Sequence, residues 1–136
     1  MEQHNISLLL DVLCKSINTG LKISVNGVDY DLRGIDNNVS DESRRRVIAW
    51  HNGYPSSVVT FPVSDVRPYL RPVSSMTKDE REIYECLGIG YRYNNDSKNI
   101  LIPSPLSMDW LYGHHFDIHD LIKKGLAIEL PETAYK

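Results

Sequence analysis

The stretch Trp110 to Ile122 (Trp-Leu-Tyr-Gly-His-His-Phe-Asp-Ile-His-Asp-Leu-Ile) holds three of the chain's five histidines together with Asp117 and Asp120. Imidazoles and carboxylates are the groups that bind transition metals and move protons near neutral pH. On one continuous helix, His115 and His119 would stand at i, i+4 on a single face, with Asp117 or Asp120 as a further ligand, which is a workable set for a metal-dependent hydrolase. The pattern is not H-E-x-x-H, because Phe116-Asp117 follows His115 and the general-base glutamate is missing. A structural reading competes and is preferred. Gly113 and Asp117 mark a helix break, Asp117 caps a new helix with Asp120 at N3, and His114-His115 lie in the connecting turn.

A second group is basic. Arg44, Arg45 and Arg46 lead into a strand pattern, and Arg67 and Arg71 follow further on. Guanidinium groups grip phosphate or carboxylate bidentately. Trp50, Tyr54 or Tyr69 would stack on a base, so the set would suit a small phosphorylated ligand such as a nucleotide signal. The alternative is a solvated loop with edge-strand charges that block aggregation. Tyr91 and Tyr93, two apart on a strand, would share a face as core or as a recognition pair. The sequence has no glycine-rich phosphate loop, no G-x-S-x-G elbow and no C-x-x-C pair.

The elements that must position these residues follow from periodicity. Asn5 to Ile17 reads as a helix with Ile6, Leu9, Leu10, Leu13 and Ile17 on one face, capped by Asn5 and stopped at Thr19-Gly20. Strand patterns follow at 21–25 and 28–33, joined by the hairpin dipeptide Asn26-Gly27. The polar run 36–43 reads as a loop. Strands are expected at 46–51 and 57–61, then a helical turn at Ser64-Asp65. Thr77-Lys78-Asp79-Glu80 is a capping box opening a helix that ends near Gly88. A hairpin is expected across 90–102, with its turn at Asn94-Asn95-Asp96. A helix capped by Ser104 with Pro105 at N1 follows, then one from Asp117 to Gly125 and a last strand at 126–130. The predicted class is α+β: an N-terminal helix and a small curved antiparallel sheet of SH3-like or barrel-like form, then a helical half with a β-hairpin. The division falls at Pro72, into 1–72 and 73–136, packed as one domain.

Composition narrows the function. A chain of 136 residues buries enough surface to fold without a staple. A net charge of −3 weighs against general nucleic-acid binding, which needs a strong positive field. No apolar run reaches the length of a bilayer span, and no signal peptide is visible. Cys14 and Cys86 fall on apolar helical patterns and are expected to be reduced and buried, as in a cytoplasmic protein.

The segment Arg67-Pro68-Tyr69-Leu70-Arg71-Pro72-Val73-Ser74-Ser75-Met76-Thr77, with Asp109 to Ile118 and Leu121 to Ala127, resembles small proteins encoded by phages and prophages of gut Bacteroidales. The resemblance covers the second half well and the first in outline. It implies a bacterial host cytoplasm and carries no activity. That group has Arg-Gly-like residues where this chain has His119-Asp120, which weighs against a metal site. The expectation is a non-enzymatic accessory protein without a cofactor, binding a host or phage macromolecule. The phosphorylated-ligand protein and the metal-dependent hydrolase are the alternatives.

Overall fold

The computed structural model describes residues 2–36, 40–51, 54–87, 90–93, 99–102 and 105–134, with backbone alone at 43, 54–56, 90–93, 99–102 and 105. Helix α1 spans Gln3–Lys15 and buries Ile6, Leu9, Leu10, Val12 and Leu13. It starts two residues before the expected Asn5. Glu2 takes the cap position through its backbone, and its carbonyl accepts from Ile6 N–H. Cys14 is exposed, not buried, and so is Cys86. At 100° per residue Cys14 falls about 40° past Leu10, off the edge of the stripe that faces the core.

Strand β1 (Lys22–Val25) turns through Asn26-Gly27 into β2 (Val28–Asp36). Both turn residues have positive φ, 52° and 82°, as a type I′ hairpin demands. Strands β3 (Arg46–His51) and β4 (Tyr54–Pro62) complete a meander. The expected turn at Ser64-Asp65 is a 3-10 turn over Val63–Asp65, and it delivers β5 (Val66–Pro72) back against β1. A second 3-10 turn, Val73–Ser75, leads to α2 (Lys78–Cys86), whose capping box is formed as the sequence predicts.

The hairpin β6 (Gly90–Tyr93) and β7 (Asn99–Ile102) makes its own two-stranded sheet. Its turn, the Ser104 cap and the Tyr91 and Tyr93 side chains lie outside the described residues. Helix α3 covers Pro105–Gly113. After it come two short strands, β8 (Phe116–Asp117) and β9 (Ile128–Glu129), both pairing parallel with β5. The expected helix from Asp117 to Gly125 does not form. Those residues make a series of turns, with Asp120 and Gly125 at positive φ of 56° and 74°.

The main sheet therefore runs β4-β3-β2-β1-β5-β8, with β9 also on β5. It is antiparallel from β4 to β5 and mixed and open overall, so the class is α+β as expected while the purely antiparallel sheet is corrected. Pro72 separates no cores. Tyr112, Leu121, Leu126 and Ala127 of the second half join α1, Ile23, Val47 and Leu70 in one cluster. Among the described residues no helix is long and apolar enough to cross a membrane.

Candidate functional site

The residues that read as chemistry are mostly spent on internal structure. Arg67, Tyr69 and Arg71 alternate onto one side of β5, and the second half of the chain folds over the Arg71 end. Arg71 is only 3% exposed. Its guanidinium donates to both Glu80 carboxylate oxygens, at 2.7 and 2.8 Å, and lies 4.3 Å over the Phe116 ring. The same Glu80 accepts from Thr77 N–H in the capping box, so one carboxylate ties the start of α2 to β5. The Arg71 bonds, offset in part by burial and reinforced by Thr77, hold the Glu80 carboxyl down to about 2. Trp110 stacks on Phe116 at 5.7 Å and meets Tyr84 of α2 at 6.0 Å, which extends the layer. A cleft of about 440 Å³ lies beside this region, lined by Pro72, Asp117, Asp120, Ile122 and Lys123 among others.

The histidine cluster does not converge. His115 closes α3 with a left-handed φ of 63°, and its carbonyl accepts from Arg71 N–H. Its Nε2 stands 3.0 Å from Thr19 Oγ1 and 3.1 Å from the Thr19 carbonyl. Thr19 Oγ1 donates to Ser16 O, so it receives from the ring, and the tautomer carries its proton on Nε2. Burial lowers the His115 pKa, partly countered by the Thr19 carbonyl. His119 Nε2 lies 3.0 Å from Tyr112 Oη and 3.5 Å from Asp11 Oδ2. Burial and the Asp11 charge push the Tyr112 hydroxyl up to about 12, so it stays protonated. The Asp117 carboxylate accepts from Leu121 and Ile122 N–H, at 2.8 and 3.0 Å, and Asp120 is exposed. Asp117 thus pins a turn rather than capping a helix. The i, i+4 geometry proposed for His115 and His119 is lost with the helix. Among the described residues no three His, Cys, Asp or Glu side chains are arranged to hold a metal ion.

The five arginines also part company. Arg44 lies 3.8 Å from Asp41 on an exposed 3-10 turn. Arg45 lines a crevice of about 230 Å³ with Ser7, Asp11, Cys14 and Glu42, where desolvation raises the Cys14 thiol pKa. Arg46 reaches across to Thr60, donating to Oγ1 and to the carbonyl at 3.1 Å each. Arg67 donates to the Ser64 and Val66 carbonyls at 2.8 Å each, bracing the turn before β5. Two strands separate β3 from β5 in the sheet, about 14 Å at strand spacing, and this keeps Arg46 away from Arg67 and Arg71. Tyr69 donates its hydroxyl to Asp29 at 2.6 Å, and that bond raises its pKa. The Tyr54 side chain lies outside the described residues.

Trp50 is the exception, and it marks a surface that the other residues do not. It stands half-buried on the outer face of the sheet, away from α1, with Asp31 and Val58 as cross-strand neighbours. The Arg33 guanidinium lies 3.7 Å over its ring. A bulge in β2 puts it there. The ladder steps from Leu32–Ala49 to Gly34–Ile48, so Arg33 is the extra residue, and a bulge re-aims the side chain it inserts. Ile48 and the 56% exposed Val58 extend the patch, and Gly34 leaves room beside Ile48. Sequence reasoning passed over Arg33. The signal was a break in parity: Val28, Tyr30 and Leu32 alternate, but the next apolar residue is Ile35, three further on rather than two.

Comparison with family models, curated proteins and solved structures finds no match.

Proposed function

We propose that this chain is a non-enzymatic binding module, a small SH3-like domain acting as a phage or prophage accessory protein in the host cytoplasm. Its partner is a host or viral protein, engaged through the outer face of the sheet around Trp50. The observation that carries this reading is the Arg33–Trp50 pair, an exposed arginine over a half-buried tryptophan, flanked by Ile48 and the exposed Val58. Tryptophan and arginine are the residue types that dominate protein-recognition surfaces, where rigid aromatic area and planar donors combine. The meander β1–β4 with β5 returning to β1 supports the SH3-like description. The resemblance in 67–77, 109–118 and 121–127 supports the phage or prophage origin. The internal use of Arg71, Asp117, His115 and His119 favours binding over catalysis.

The test is capture from host lysate by wild type, W50A, R33A and the distant control R81A. A discrete partner retained by wild type and R81A, and lost by both W50A and R33A, is expected. Equal capture by all four would overturn the surface, and turnover of a substrate by the isolated protein would overturn the class.

A further inference from the structure

The two edges of the main sheet are treated differently. At one edge β5 is closed by β8 and β9, and bonds from Arg71 N–H to the His115 carbonyl and from Leu130 N–H to the Leu70 carbonyl extend that closure. At the other edge, among the described residues, β4 pairs only with β3. Free edge strands are templates for pairing, and proteins usually blunt them with charge, bulges or proline. Strand β4, Tyr54–Pro62, contains no Asp, Glu, Lys or Arg. Its prolines sit at 55 and 62, near the ends, the ladder with β3 is irregular between Tyr54 and Val58, and the Arg46 guanidinium covers one carbonyl, that of Thr60, so the regular edge is the run from Val58 to Phe61.

Between the prolines the strand leaves apolar surface on both faces. Val58 points outward and is 56% exposed. Val59 and Phe61 point inward and pack on the core without being fully buried.

We infer that β4 pairs antiparallel with β4 of a second copy of this chain, forming a closed two-fold dimer with one sheet running through it. An isologous contact requires a strand that complements itself. With the axis at Val59, Val58 faces Thr60 of the second copy on the outer face, and Val59 meets its own image. No charge on β4 meets its own image, since the strand carries none. β-Branched pairs of this kind favour sheet pairing. Head-to-tail growth is disfavoured because the other edge ends in β8 and β9, two residues each and too short to template a strand, so assembly stops at two. This goes beyond the outer-face reading, with which it shares Val58.

The test is the solution mass of the full chain, by light scattering and native mass spectrometry, at roughly 100 µM, where micromolar self-affinity saturates. Wild type is expected at twice 15.6 kDa. V58D sets like charges across the axis at an exposed position and is expected at the monomer mass with an unchanged circular dichroism spectrum. I83D, which places the same charge on exposed α2, is expected to stay dimeric. A monomeric wild type, a dimeric V58D, or dissociation by I83D would each overturn the inference, and the first would leave the β4 edge to an unrelated peptide.

Discussion

Among the described residues two arginines lie over aromatic rings, and they do opposite things. Arg71 over Phe116 is buried, held by both oxygens of Glu80, and shut in by α2 and the turn after α3. Arg33 over Trp50 is exposed on a bulge, facing solvent. The stacking chemistry is the same, but the surroundings differ. Where a carboxylate and a second layer of chain complete the shell, the arginine becomes a joint between the two halves of the sequence. Where the arginine stays exposed, the same pairing presents a planar cation to whatever approaches. Burial, more than residue type, separates the fastener from the recognition surface.

The contrast breaks most readily at Arg71. R71M leaves the part-buried Glu80 carboxylate without its guanidinium and should lower stability by about 2–3 kcal/mol, the scale of hydrogen bonds to a charged group. In thermal unfolding that is a fall in Tm of roughly 10 °C. R71K should recover little of it, because one ammonium cannot serve both oxygens in a fixed plane. A loss well under 1 kcal/mol would mean Arg71 is no joint at all.

Next comes Asp117. D117A removes the acceptor for two backbone amides and should cost about 2 kcal/mol in urea unfolding, with D117N retaining part of the loss-free state through its one amide oxygen.

The acid limb of stability sharpens the comparison further. Folding depresses both the His115 and the Glu80 pKa. Each therefore contributes stability above its unfolded value, and loses it as protons bind more readily to the unfolded chain. Stability should begin to fall as the pH drops below the ordinary histidine value of 6.5, and fall again from 4.5 towards about 2 as Glu80 protonates. H115Q should flatten the first decline and leave the second. A decline of unchanged shape would remove His115 as its cause.

The smallest effect on stability is expected at Arg33. An exposed cation on a ring contributes about 0.5–1 kcal/mol, so R33A should unfold almost where wild type does while losing its captured partner. A large drop in Tm would move Arg33 into the same class as Arg71.

Local signals were read well. Asn26-Gly27 made its hairpin turn, Thr77 and Glu80 made their capping box, and the 3-4 spacing of Ile6, Leu9, Leu10 and Leu13 placed α1. Each depends on neighbours within a few residues. The stretch 117–125 was misread because a carboxylate followed by N–H donors suits a turn as well as a helix cap. The choice went to the geometry that lets β8 and β9 both reach β5, a contact across more than forty positions. Cys14 lies at the edge of the α1 stripe, where about 40° of rotation past Leu10 separates buried from exposed.

The site divided in the same way. Trp50 was legible as an aromatic on a strand. Arg33 was hidden because period-two alternation carries no allowance for a bulge. The arginine cluster failed because adjacency in a list of basic residues says nothing about strand order.

By itself, then, the sequence determined the α+β class, the turns and caps, the core face of α1 and the absence of familiar catalytic motifs, because those depend on short-range spacing and side-chain type. Tertiary structure alone decided that β5 returns to β1, that Arg71 is enclosed and Arg33 is exposed, and that, among the described residues, β5 gains β8 and β9 while β4 pairs only with β3. Those outcomes depend on which distant segments share a core, and local patterns cannot encode them.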